Sequence, residues 1–155
     1  MTTDRSQPRP MLVPELNITS LPASLAFWRD LLGFRILYDR PEEGFAAIER
    51  EGVEFMLEEY DTGPDERLGI WDTGPRERPY GRGINFEITV RDVGLLLEAL
   101  SRGGWPLFFG PEERWYRVSP HEETGVHQFL VQDPDGYLLR FSQPLGRRPS
   151  RAASL

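Results

Sequence analysis

The feature that most constrains the fold is the segment 127–141, HQFLVQDPDGYLLRF, which writes a turn between two apolar runs; a weaker version of the same unit closes the first half of the chain. Pro134 presets φ for a type I turn, Asp133 and Asp135 can bond the nearby backbone, and Gly136 directs the chain toward the returning strand. Residues 126–132 and 137–143 therefore meet as a hairpin. A unit that occurs twice in 155 residues marks a duplicated module.

Each half reads in the same order. In the first, 11–18 is a strand, and 22–32 is a helix with Leu25, Trp28, Leu31 and Leu32 on one face and Gly33 as its stop. Strands follow at 34–38, 44–50 and 53–60, the last two flanking Glu51-Gly52, a two-residue connection suited to a hairpin. Gly, Pro and charge dominate 61–82, which reads as a long connector carrying Trp71. The second half has a strand at 84–90, then a helix at 92–102 with Asp92 as N-cap, Val93, Leu96, Leu97 and Leu100 on one face, and Gly103-Gly104 as its stop. A strand at 105–109 and a loop at 110–125 lead to the hairpin. The expectation is a single α+β domain over 1–143, with βαβββ modules at 11–60 and 83–143. The remainder, 144–155, is basic with little to bury and reads as a disordered tail.

Composition narrows the function. Without cysteine there is no disulfide, thiolate metal site or Cys nucleophile, and a reducing cytoplasm suits such a chain. The first ten residues are polar and broken by Pro, unlike a signal peptide, and no apolar run approaches the roughly 20 residues of a membrane span. A net charge of −7 argues against nucleic acid and favours cationic partners. His121 and His127 lack metal-ligand spacing, no G-x-S-x-G elbow is present, and the glycines of GPRERPYGRG lack a P-loop lysine. Nothing names a nucleophile. Aromatic residues are plentiful in irregular or strand-end positions: Trp28 belongs to a helix face, whereas Trp115 and Tyr116 follow Phe108 and Phe109 in the loop. Rings beside carboxylates suit a flat cation, and they equally suit anchoring of loops or a subunit interface.

The segments 21–34 (LPASLAFWRDLLGF) and 131–141 (VQDPDGYLLRF), set in two βαβββ modules, resemble the vicinal oxygen chelate superfamily, also called the glyoxalase and bleomycin-resistance fold. The resemblance spans roughly 11–143 and implies two curved sheets around a central cleft, with the helices outside. Family enzymes carry four metal ligands at positions that fall here on Val13, Glu58, Asn85 and Arg140, so the resemblance implies no metal, no cofactor and no catalytic residue, with Glu58 pairing Arg140 instead. It points to the bleomycin-resistance branch, in which a homodimer sequesters a flat, cationic antibiotic between aromatic rings. Phe45 matches one ring of that branch; the second falls at Gly125, so Trp115 or Tyr116 takes its part. The implied ligand-binding set is Phe45, Glu58, Asn85, Glu87, Phe109, Trp115, Tyr116 and Arg140, with Glu87 meeting the ligand's charge. Alternatives are a metal-dependent enzyme of the superfamily (glyoxalase, dioxygenase or thiol transferase) and a small-molecule sensor with an unrelated ligand.

Overall fold

Strand alternation and two capped helices build the same βαβββ order twice, in a computed structural model that describes residues 8–60 and 73–151. Trp71 and most of the expected connector lie outside the described residues, as do 152–155. The chain divides into two units, and the turn Pro134–Gly136 belongs to the first.

Unit one contains β1 (Glu15–Ile18), β2 (Arg35–Arg40), β3 (Phe45–Arg50) and β4 (Val53–Glu59), in sheet order β1-β4-β3-β2 with β1 parallel to β4. Helix α1 (Leu21–Leu25) starts where the Ser20 side chain accepts from the Ala23 amide. It widens at once into a π-helical turn, Ala26–Leu31, in which the Leu32 amide donates to the Phe27 carbonyl at 3.0 Å. The wider turn moves the buried face: Phe27, Trp28 and Leu32 are buried, while the expected Leu25 and Leu31 are half-exposed. Trp28 then packs edge-on against Phe34 (5.0 Å between centroids) and tilted against Phe55 (5.1 Å). Burying a ring system of this size contributes about 5 kcal/mol. The expected tight hairpin is present, with Glu51 at φ 49 and Gly52 at φ 90, the paired left-handed residues of a type I′ turn. Asp135 is 1% exposed in this unit; its carboxylate accepts from the Thr19 hydroxyl (2.7 Å) and backbone amide (3.2 Å) and from Arg78 (3.0 Å).

Unit two contains β5 (Asn85–Thr89), α2 (Val93–Arg102), β6 (Phe109–Ser119), β7 (Glu122–Gln132) and β8 (Leu138–Pro149), in sheet order β5-β8-β7-β6 with β5 parallel to β8. Asp92 caps α2 as expected, and Val93, Leu96 and Leu100 are buried. Two expectations are corrected here. Residues 110–125 are not a loop: β6 and β7 continue through them as an antiparallel pair. Residues 144–149 are not a disordered tail but the far end of β8, paired with β7. Both extensions lack apolar alternation and are joined through the backbone ladder, to which Arg147 with Glu122 at 2.8 Å and Arg148 with Glu123 at 2.9 Å add charge pairs between β7 and β8. Among the described residues no helix is long and apolar enough to cross a membrane.

Candidate functional site

Ser20 and Asp92 cap equivalent helices, so the strands before them align: Glu15 and Asn17 of β1 correspond to Glu87 and Thr89 of β5. Glu15 pairs with Met56, and Glu87 pairs with Arg140. The counterpart of Arg140 in unit one is therefore Met56 rather than the expected Glu58, which lies two residues further on, opposite Asn17. A two-residue offset keeps Glu58 on the same sheet face, which is why counting along the sequence could not separate the two.

In unit one the cross-strand register brings Asn17, Glu58, Phe45 and Arg40 into a single row, one residue from each strand. The Phe45 ring is 5% exposed, with the Arg40 guanidinium 4.0 Å from its centroid and the Tyr38 ring at 5.9 Å. Arg76 stacks on Tyr60 at 3.6 Å and donates to Asn17 at 3.2 Å. Beside Glu58, Glu15 holds its proton to higher pH than an ordinary carboxyl: hydrogen bonding to the Glu58 carboxylate, then partial loss of water, then the neighbouring charge push its pKa up to about 7.

In unit two a second row runs Glu87, Arg140, Leu130, Phe109. Arg140 donates to Glu87 at 3.0 Å, and Glu87 also accepts from the Ser142 hydroxyl at 2.8 Å. Glu87 is thus the partner of Arg140 within unit two, and its charge is already compensated within its own sheet. Asn85 is exposed, two residues before Glu87 on the same strand face, and Phe109 is 52% exposed. Trp115 and Tyr116, expected together in a loop, are consecutive residues of β6 and point to opposite faces. The Tyr116 hydroxyl accepts from the Gln128 side chain at 2.8 Å. Trp115 stands opposite Gly125, where an added Cβ would come within 2.7 Å of the indole ring, and Arg148 stacks on that ring at 4.0 Å. The Trp115 ring thus covers Gly125 from the neighbouring strand.

The donor set does not fit a metal. Val13 and Met56 offer no oxygen or nitrogen, Arg140 is cationic and ion-paired, and Asn85 alone remains; among the described residues no group of three His, Cys, Asp or Glu is placed to hold an ion. Reading the sequence missed Glu15, Arg40, Glu112 and Gln128. Strand alternation was the available signal, since Gln128 and Glu15 share faces with Arg140 and Glu58 respectively.

Residues 11–141 match the model of the Glyoxalase/Bleomycin resistance protein/Dioxygenase superfamily, and the chain belongs to that superfamily. Its fold is shared with TioX from Micromonospora sp. ML1, at 20% identity and TM-score 0.65 over 86% of this chain and 98% of that one. A superfamily member from Alicyclobacillus acidocaldarius gives 18% and 0.58 over 90% and 95%. A lactoylglutathione lyase from Agrobacterium tumefaciens gives 16% and 0.57 over 88% and 95%. Identities this low establish the fold and nothing finer. No functionally curated protein matches the sequence.

Proposed function

We propose that this chain is a metal-independent binding protein that sequesters a flat, aromatic, cationic antibiotic of the bleomycin type and releases it chemically unchanged. The observation that carries the reading is the Arg140 guanidinium, ion-paired to Glu87 at 3.0 Å, at a position where enzymes of the superfamily place a metal ligand. A divalent ion 4 Å from a guanidinium meets roughly 8 kcal/mol of repulsion at an effective dielectric of about 20. The ligand class follows from the row in unit one. Phe45 lies directly opposite Glu58, so a ring and a carboxyl are adjacent, and the Arg40 guanidinium on that ring is itself a flat cation. A ligand takes the place of Arg40 there, and Glu58 with Glu15, rather than Glu87, answers its charge. The working assembly is a homodimer, which supplies further walls to such a small chain.

Titration of the purified protein with bleomycin, followed by Trp fluorescence, tests this. Sequestration requires a dissociation constant near micromolar or below, about −8 kcal/mol. Silence at tens of micromolar, or an unprotected sensitive host on expression, overturns the assignment. Sedimentation at micromolar concentration should give about twice the 17.9 kDa chain mass.

A further inference from the structure

We infer that the face of unit two bearing Gln128 and Arg140 holds a subsite for a neutral carboxamide. Gln128 is 2% exposed, and its amide nitrogen donates to Glu112 at 3.0 Å and to the Tyr116 hydroxyl at 2.8 Å. Those two bonds occupy both amide protons and set which way the group faces. Its carbonyl oxygen, Oε1, is left buried with no hydrogen-bond partner among the described residues. Arg140 shows the complementary arrangement: Nη2 is tied to Glu87, while the Nε–H is buried and equally unmatched among the described residues. Gln128 stands opposite Ser142 and Arg140 opposite Leu130, so the two side chains are diagonal neighbours on one face of the β7–β8 pair. One fixed acceptor and one fixed donor have lost water there without gaining a partner.

The charges on this face select the ligand. Arg140 and Arg114 are balanced by Glu87 and Glu112, which lie on the same strand faces, so no net charge invites an ion. A carboxylate has no proton for Gln128 Oε1, and an amidinium has no acceptor for Arg140 Nε–H. A planar amide satisfies both, its carbonyl accepting from Arg140 and its N–H donating to Gln128. The subsite rests on the reading above only in taking the chain for a small-molecule binder; it is distinct from the Phe45 and Glu58 row of unit one.

The probes are benzamide, benzoate and benzamidine, which share a ring and differ in the donor and acceptor they offer. On 15N-labelled full-length protein, millimolar benzamide should shift the Arg140 Nε–Hε and Gln128 side-chain resonances, while benzoate and benzamidine leave them in place. Gln128→Leu and Arg140→Lys should each weaken the benzamide response at least tenfold, with near-UV circular dichroism confirming the native fold. No shift at tens of millimolar benzamide, or equal shifts with all three probes, overturns the subsite. Bleomycin binding without a benzamide response removes the subsite alone; a benzamide response without bleomycin binding supports the subsite and removes the antibiotic.

Discussion

Replacing Glu15 by Gln isolates the proton that Glu15 holds beside Glu58. A carboxyl whose pKa rises from 4.5 to about 7 on folding holds a proton that the unfolded chain has already released across that interval. Its contribution to stability is therefore complete below pH 4.5 and is lost as pH climbs to about 7. Undiminished, the shift would be worth about 3.4 kcal/mol. Both carboxyls are exposed, and solvent screening brings the figure to about 1 kcal/mol. Gln at position 15 keeps a donor for Glu58 but has no proton to lose. Urea unfolding of both proteins at pH 5 and pH 8 is the assay. The native chain should lose about 1 kcal/mol more than the variant between the two, about 0.5 M in midpoint at a slope near 2 kcal/mol/M, while all other titrations cancel. Identical losses in the two proteins would refute the retained proton, as would a carboxyl NMR titration of Glu15 centred near 4.5.

Phe45→Ala should weaken bleomycin binding at least tenfold, and Phe45→Leu, which keeps most of the volume without the ring, should do nearly the same, both read by Trp fluorescence. Gly52→Ala should destabilise the protein by about 1–2 kcal/mol in urea unfolding, because φ 90 penalises any Cβ although no atom lies within 4 Å to clash with it. Gly125→Ala should push the Trp115 indole off its strand and away from Arg148, seen as a red-shifted emission that a Trp115→Phe background abolishes. Elemental analysis after purification without chelator should find no stoichiometric metal; a retained ion would support an enzyme.

The paired modules, the α2 cap at Asp92 and the Glu51-Gly52 hairpin were legible because each depends on neighbours within a few residues. That same hairpin sets the register between β3 and β4 and so places Phe45 opposite Glu58, a neighbour the linear reading did not draw from it. The π-helical turn was not legible, since Phe27 and Trp28 are both buried only by a widening that packing selects. The far ends of β6, β7 and β8 were hidden for another reason. Their stabilising pairs, such as Glu123 with Arg148, are 25 residues apart and look like solvated charge in a linear reading. The retained proton of Glu15 and the fixed amide of Gln128 depend on side-chain contacts across strands, which no local pattern encodes.

Asp135 sets an order on biosynthesis. Thr19 and Arg78 find their shared buried acceptor only in a residue made about 55 positions after residue 80, roughly 3–11 s later at 5–20 residues per second. Until then Thr19 and Arg78, which also bond each other at 3.0 Å, lack their carboxylate, so the first unit is completed only by a turn that the chain reaches after most of the second has been made.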